Sequence, residues 1–245
     1  MSPNLSIVLP AKNEEGNIGP LISEIFHVLN PQIEFEIVLT DDGSDDNTAQ
    51  EALDTATHLG CPLKILRHQQ SCGQSAALHS AIRHASARLI ATMDADGQND
   101  PSDLPAMVAQ ANQLAAEHFC IAGYRQQRRD SRWIRFQSII ANSVRQFFLR
   151  DGVPDSGCGL KVFPKQTFLL LPYFDHMHRF LPALIRRIEG DIIVHPVKHR
   201  PRCAGRSNYT LRKRLWAGMV DLCGVMWLRR RTCWPVVQQK YPEEP

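Results

Sequence analysis

The chain has 245 residues, of which 43% are hydrophobic, enough for one large α/β domain with a real core. Seven cysteines, an odd number without C-x-x-C spacing, argue for reduced thiols and against a disulfide frame or a zinc site, and the polar start Met1-Ser2-Pro3-Asn4 does not read as a signal peptide. The net charge of +3 hides a split: residues 1–124 hold 5 Lys/Arg and 16 Asp/Glu, a balance of −11, and residues 125–245 hold 23 and 9, a balance of +14, so the second half is built to meet anions.

In chain order, Leu5–Pro10 reads as a first strand that stops at Pro10, which cannot continue a ladder. A loop, Ala11-Lys12-Asn13-Glu14-Glu15, leads to a helix over Glu15–Leu29 with Ile18, Leu21, Ile22, Ile25 and Leu29 on one face; Pro31 marks its end. Phe35–Thr40 is a second strand running into the acidic cluster Asp41-Asp42-Gly43-Ser44-Asp45-Asp46. Asp46, Asn47 or Thr48 can cap the next helix, Thr48–Leu59, and Asp45 and Asp46 read as cap and dipole partners. Asp41 and Asp42 stand before the turn, at the strand tip, and need another explanation. Leu63–Leu66 is a third strand, and the loop Gln69–Ser75 opens a helix over Gln74–Ala85.

Leu89–Met93 is a short apolar strand followed by Asp94-Ala95-Asp96-Gly97-Gln98-Asn99-Asp100-Pro101. Two carboxylates two residues apart at a strand end repel unless a cation lies between them, and Mg²⁺ prefers one or two carboxylates plus phosphate oxygens. D-x-D is a weak motif by itself, and a plain Asp/Gly/Asn turn is the alternative. A helix over Asp103–Glu117 and a strand Phe119–Gly123 follow. Strands alternating with helices imply a mostly parallel, doubly wound sheet whose acidic strand-end loops converge on one rim. No G-x-G-x-x-G follows the first strand and no G-x-x-x-x-G-K-[ST] occurs, which weakens a nicotinamide dehydrogenase or a P-loop NTPase.

From Tyr124 the chemistry changes. Arg125, Arg128, Arg129, Arg132, Arg135, Arg145 and Arg150 face a single acid, Asp130, and interleave with Trp133, Ile134, Phe136, Phe147 and Phe148. This suits a basic interfacial helix, with a solvated arginine face as the plainer reading. Asp155–Lys161 is a glycine-containing turn before a short strand. His176 and His178 lack a close third ligand, so placing an anion or surface packing is preferred to a metal. A helix over Phe180–Glu189 and a strand Asp191–Val197 come next, then seven Lys/Arg and no acid over residues 198–214. Leu215–Leu228 is apolar apart from Asp221, has Trp216 and Trp227 near its ends, and precedes Arg229-Arg230-Arg231. Fourteen residues are too few to span a bilayer; they suit either a helix at the membrane interface or a C-terminal core helix.

Taken in order, Pro10–Glu15, Asp41-Asp42-Gly43-Ser44, Gly73-Gln74-Ser75-Ala76-Ala77-Leu78, Asp94–Pro101 and Gly123-Tyr124-Arg125 resemble family 2 glycosyltransferases, over about residues 5–228, and most of all the branch of dolichyl-phosphate mannose synthases and bacterial polyprenyl-phosphate glycosyltransferases. The resemblance implies a GT-A (Rossmann-like) three-layer fold over residues 1–210 and an amphipathic membrane-interface helix and tail over 211–245. It implies a nucleotide-sugar site of Pro10, Lys12, Glu14, Leu39, Asp41, Asp94, Ala95, Arg125, Arg202 and Arg206. Asp94, Asp96 and Gln98 would hold Mg²⁺ or Mn²⁺, and Asp96, Arg125 and Arg129 would be catalytic. This chain departs at Lys12, where many relatives carry Tyr, and at Asn208, where relatives often carry Lys, a charge that Arg206 can supply.

The expected reaction is an inverting transfer from a GDP- or UDP-sugar to a polyprenyl phosphate at the cytoplasmic face of the membrane, with peripheral attachment and no transmembrane helix. A homo-oligomer stays open. A glycosyltransferase acting on a soluble or polysaccharide acceptor is the alternative. A nucleic-acid-binding module is a distant one: only the basic half suggests it, no zinc finger, RNP-type or helix-turn-helix signature does, and no nucleic-acid partner is expected.

Overall fold

The computed structural model describes residues 3–125, 143–200 and 211–231, with side chains in the last stretch from residue 218 onward. Its centre is a seven-stranded sheet in the order β3-β2-β1-β4-β6-β5-β7. The strands are β1 (Leu5–Ala11), β2 (Phe35–Asp41), β3 (Leu63–Arg67), β4 (Leu89–Thr92), β5 (Phe119–Arg125), β6 (Lys161–Pro164) and β7 (Asp191–Val197). All run parallel except β6, which pairs antiparallel with β4 on one side and β5 on the other.

Helices α1 (Ile18–Leu29), α2 (Thr48–Leu59) and α4 (Leu104–Asn112) cover one face; α3 (Gln74–His84), α6 (Lys165–Leu169), α7 (Leu181–Arg187) and α8 (Leu211–Arg230) cover the other, with the short helix α5 over 143–149. Strand alternation decides which residue meets which layer. Leu5, Ile7 and Leu9 of β1 enter the α1/α2/α4 core, and Val8 enters the opposite one with Leu78, Ile82, Phe163 and Leu184. The expected three-layer, mostly parallel α/β architecture is what the chain adopts.

Several boundaries differ from the sequence expectation, each for a local reason. β1 does not stop at Pro10 but pairs it with Thr40. The Val8 carbonyl accepts from Met93 on the β4 side, so Pro10, two residues on, turns its missing N–H to the same side past Val8–Thr92, the last β4 rung, and breaks no rung that β4 forms. α1 begins at Ile18 rather than Glu15 because Gly16 has φ +83 and the Glu14 carbonyl takes the Asn17 and Ile18 amides. α4 is shorter than Asp103–Glu117: a 3-10 turn, Pro101–Asp103, precedes it, and beyond Ala111 the chain offers little to bury. α7 ends before Glu189, which sits at φ 62.

α8 contains the expected stretch and runs longer. Val225 is buried and Leu222, Met226 and Leu228 pack against the second core, whereas Met219, Val220 and Trp227 face outward. Among the described residues no helix is long and apolar enough to cross a membrane.

Candidate functional site

The parallel strands β1, β2 and β4 end side by side at Ala11, Asp41 and Thr92, so the loops that follow share one rim, where open α/β sheets take ligands. The first two loops are laced together. The Asn13 amide donates to Ser44 Oγ at 3.0 Å, Asn13 Oδ1 accepts from the Asp45 amide at 2.9 Å, and the Glu14 amide donates to Thr48 Oγ1 at 2.8 Å. Lys12 is exposed between them, Pro10 and Glu14 are half-buried, and Leu39 is fully buried in the core beneath the rim, a packing side chain. Asp46 takes the Thr48 amide at 3.0 Å and the Glu15 amide at 3.2 Å, the capping role expected of it.

The two strand-tip aspartates have different work. Asp42 accepts from the Cys72 and Gly73 amides and from Ser71 Oγ, each at 2.8 Å, and contacts His68 Nδ1 at 2.7 Å. Burial alone would raise this carboxyl, but those hydrogen bonds hold it below the ordinary range. Asp42, His68 and Cys72 offer ligand atoms close enough for a metal, a grouping the sequence reading missed; the carboxylate oxygens are already taken, so the cluster shapes the loop that opens α3. Asp41, also fully buried, accepts the Ser44 amide at Oδ1 (2.9 Å), and its Oδ2 lies 3.2 Å from Arg67 Nε but has no hydrogen-bond partner. A buried carboxylate oxygen left in that state is an acceptor awaiting a donor.

After β4 the alternation explains D-A-D. Ala95 turns into the core, which leaves Asp94 and Asp96 turned away from it. Asp94 Oδ1 accepts from Gln74 Nε2 at the start of α3 (2.8 Å), its amide donates to Asn99 Oδ1 (3.1 Å), and Asp96 Oδ1 accepts the Gln98 amide (3.1 Å). Burial pushes the Asp94 carboxyl up, and the charge of Asp96 pushes it further. A divalent cation would relieve that repulsion, and a donor set of oxygens without nitrogen or sulfur suits Mg²⁺ or Mn²⁺.

The second half of the chain closes on this loop. The Arg200 amide donates to the Gln98 carbonyl at 3.0 Å, and its guanidinium reaches Glu24 (2.6 and 2.8 Å) and Asp100 (2.9 Å). Arg125, at the end of β5, makes a bidentate pair with Asp155, Nε to Oδ2 at 2.6 Å and Nη2 to Oδ1 at 2.9 Å. Burial would lower the Arg125 guanidinium, but Asp155 outweighs it and the pKa rises. The sequence reading placed Arg125 here but missed Asp155, Arg200 and Lys161, the last a buried charge at the head of an apolar strand.

His176 and His178 do not converge on one ligand. His178 Nδ1 meets Ser75 Oγ at 2.7 Å and is pushed well down by burial, then by Arg179, Lys161 and His176; His176 Nδ1 meets Asp221 of α8 at 3.1 Å. Arg129, Arg202 and Arg206, Asn208, and most of the arginine-rich helix expected around Trp133–Phe148 lie outside the described residues.

Gly159 is a close approach. A Cβ there would stand 2.3 Å from Asp94 Oδ2, and Thr92 Oγ1 anchors the Gly159 carbonyl at 2.6 Å, so backbone cannot retreat. Gly159→Ala is therefore expected to displace the Asp94 carboxylate. Mn²⁺ affinity, read by titration calorimetry, should fall at least about tenfold while the far-UV spectrum stays unchanged. Wild-type affinity in this variant would show that Asp94 tolerates the shift.

The model of the family described as "Glycosyl transferase family 2" matches residues 6–169. The chain is 34% identical over 233 residues to the dodecaprenyl-phosphate galacturonate synthase of Rhizobium johnstonii, covering 94% of this chain and 68% of that protein. It is 29% identical over 210 residues to the undecaprenyl-phosphate 4-deoxy-4-formamido-L-arabinose transferase of Edwardsiella ictaluri, covering 85% and 64%. The chain thus spans about two thirds of the length of these relatives. Among solved structures it is similar to the glucosyl-3-phosphoglycerate synthase of Mycobacterium tuberculosis with Mg²⁺ and uridine diphosphate, at TM-score 0.69, 17% identity and coverage of 93% and 79%. A mannosyltransferase of Pyrobaculum calidifontis with GDP-Man and Mn²⁺ gives TM-score 0.68, 18% identity and coverage of 96% and 66%.

Proposed function

The chain belongs to glycosyl transferase family 2, and we propose that it moves a sugar from a nucleotide sugar to a polyprenyl phosphate, with inversion, at the rim of β1, β2 and β4. The observation that carries this reading is the meeting, at one sheet edge, of the Asp94/Asp96 pair with the buried Arg125–Asp155 pair from the basic half. The names of relatives up to 34% identical supply the acceptor class.

The nucleoside would lie against Pro10, Lys12 and Glu14, with Asp41 Oδ2, ion-paired to Arg67 but without a hydrogen bond, accepting an N–H of the base. Asp94 and Asp96, with Gln98 beside them, would hold Mg²⁺ or Mn²⁺. That cation would offset the charge building on the departing diphosphate. Gln74 and the Gly159 backbone fix the Asp94 carboxylate, so no reorganisation of this group is needed as charge develops. Arg125, held rigid by Asp155, would orient a phosphate; Arg129, Arg202 and Arg206 would add cationic contacts. A lipid phosphate is already ionised near neutral pH, so positioning replaces a strong general base. One displacement at the anomeric carbon inverts it.

The membrane contact would be peripheral, on the cytoplasmic face, through α5 and α8. Phe147 is 75% exposed, Met219, Val220 and Trp227 face outward, and Arg229 Nη1 donates to the Leu149 carbonyl, so the ends of the two helices adjoin. An anionic leaflet would add about 1 kcal/mol for each well-placed arginine of Arg229–Arg231.

Offered undecaprenyl phosphate and 3-phosphoglycerate together with a labelled nucleotide sugar and Mn²⁺, the chain is expected to label the lipid and leave the soluble acid unlabelled. The reverse result would assign a soluble acceptor to this site.

A further inference from the structure

Lys161 is used neither by the core nor by the roles assigned above. It opens β6 opposite Thr92, two residues before Asp94, and is only 4% exposed. Its Nζ donates to the Cys158 carbonyl and, at 3.4 Å, to that of Ser156; among the described residues no carboxylate lies within ion-pair reach. A buried ammonium without a carboxylate partner is costly, and the rest of the strand, Val162-Phe163-Pro164, is fully apolar. Packing therefore does not account for a lysine here.

The charge does act on something. Lys161 and Arg125 are the cations that draw on the Asp94 carboxylate against the push of Asp96. Arg125 is paired with its bidentate Asp155, whereas Lys161 is bound only to carbonyls, so its charge acts on Asp94 without a carboxylate of its own to offset it. The same charge adds to burial and Arg179 in pushing the His178 imidazole down. A buried charge is little screened by salt.

We propose that Lys161 is a positioning residue that acts through Asp94: its buried positive charge makes the carboxylate pair a poor site for a bare divalent cation and a good one for a cation arriving with a nucleoside diphosphate. The proposal rests on the metal-and-nucleotide reading of the site given above. Its physical content is a pair of opposite signs. A fixed cation opposite Thr92, at the strand end that leads into Asp94, repels an incoming Mn²⁺ and attracts the diphosphate that follows, so metal and nucleotide are favoured together. The lysine thus suppresses idle metal loading.

The test is calorimetric titration of the full chain with MnCl₂ alone, then with UDP and with GDP separately at saturating Mn²⁺. Lys161→Met removes the charge and the donors; Lys161→Gln removes the charge and keeps N–H donors on a slightly shorter side chain; Lys161→Arg keeps the charge. In Lys161→Gln, and in Lys161→Met if it folds, Mn²⁺ alone should bind roughly three- to tenfold tighter and the nucleotide roughly three- to tenfold weaker, with Lys161→Arg near wild type. A merely structural lysine would weaken both affinities, and that result, or no change in Lys161→Gln, overturns the proposal alone. A wild-type chain that takes up Mn²⁺ but neither nucleotide overturns the reading of the site and this proposal with it.

Discussion

Asp94→Asn is expected to lower turnover by at least about a thousandfold, the scale of losing a group that carries the charge of the transition state, and yet to raise thermal stability. Both effects have one cause. The Asp94 carboxyl is raised above its ordinary value of 3.8, first by burial and then by Asp96. A carboxyl whose folded-state pKa exceeds its unfolded one costs stability at neutral pH; the cost is complete above the folded value and fades as pH falls toward the unfolded one. Asn keeps the oxygen that accepts from Gln74 Nε2 and drops the charge. Without added metal, the variant should therefore melt higher than wild type at pH 7.5, and the gap should narrow as the buffer is taken toward pH 4. An Asn variant that melts lower at pH 7.5 would mean that the carboxylate is stabilising, with its repulsion already relieved by neighbouring cations.

Arg125→Ala is expected to be costly in both activity and stability. It leaves the Asp155 carboxylate, 4% exposed, without its bidentate partner. Breaking a buried pair by removing one member costs about 3–5 kcal/mol. For a chain of this size that is a fall in Tm of about 6–20 °C. Arg125→Met combined with Asp155→Leu should recover most of the lost stability and none of the transfer, because an apolar pair of similar volume is tolerated where half an ion pair is not. Equal melting of the single and double variants would place the energetic weight of Arg125 elsewhere.

What could be read from the sequence was what is local. Leu89–Thr92 followed by Asp94-Ala95-Asp96 announces a strand and the acidic turn at its end, and Ile18, Leu21, Ile22, Ile25 and Leu29 announce the buried stripe of α1. What could not be read was what the sheet assembles at a distance. Nothing in Lys161-Val162-Phe163-Pro164 says that β6 runs backward between β4 and β5, and that insertion sets Gly159 against Asp94 and Lys161 opposite Thr92. Arg200 looked like one more cation in a basic run, and its partner Glu24 lies 176 residues earlier. Asp155 sat in a turn whose glycines drew the eye, and only the fold shows that it fixes Arg125. Pro10 misled because the ladder rule assumes an acceptor on each side, and at that rung β4 has already ended.

On the proposed function, the acidic half would hold a nucleotide sugar through a cation while the basic half presents a lipid phosphate to it. The most direct measurement is transfer of radiolabel from a panel of UDP- and GDP-sugars to undecaprenyl phosphate, with Mg²⁺ or Mn²⁺ and with Asp96→Ala alongside. Label in the lipid fraction from one donor, lost in the variant and lost on chelation, is the predicted result. Metal-dependent hydrolysis of a donor without any label reaching the lipid would contradict it, leaving the sugar-nucleotide site intact and removing the lipid acceptor.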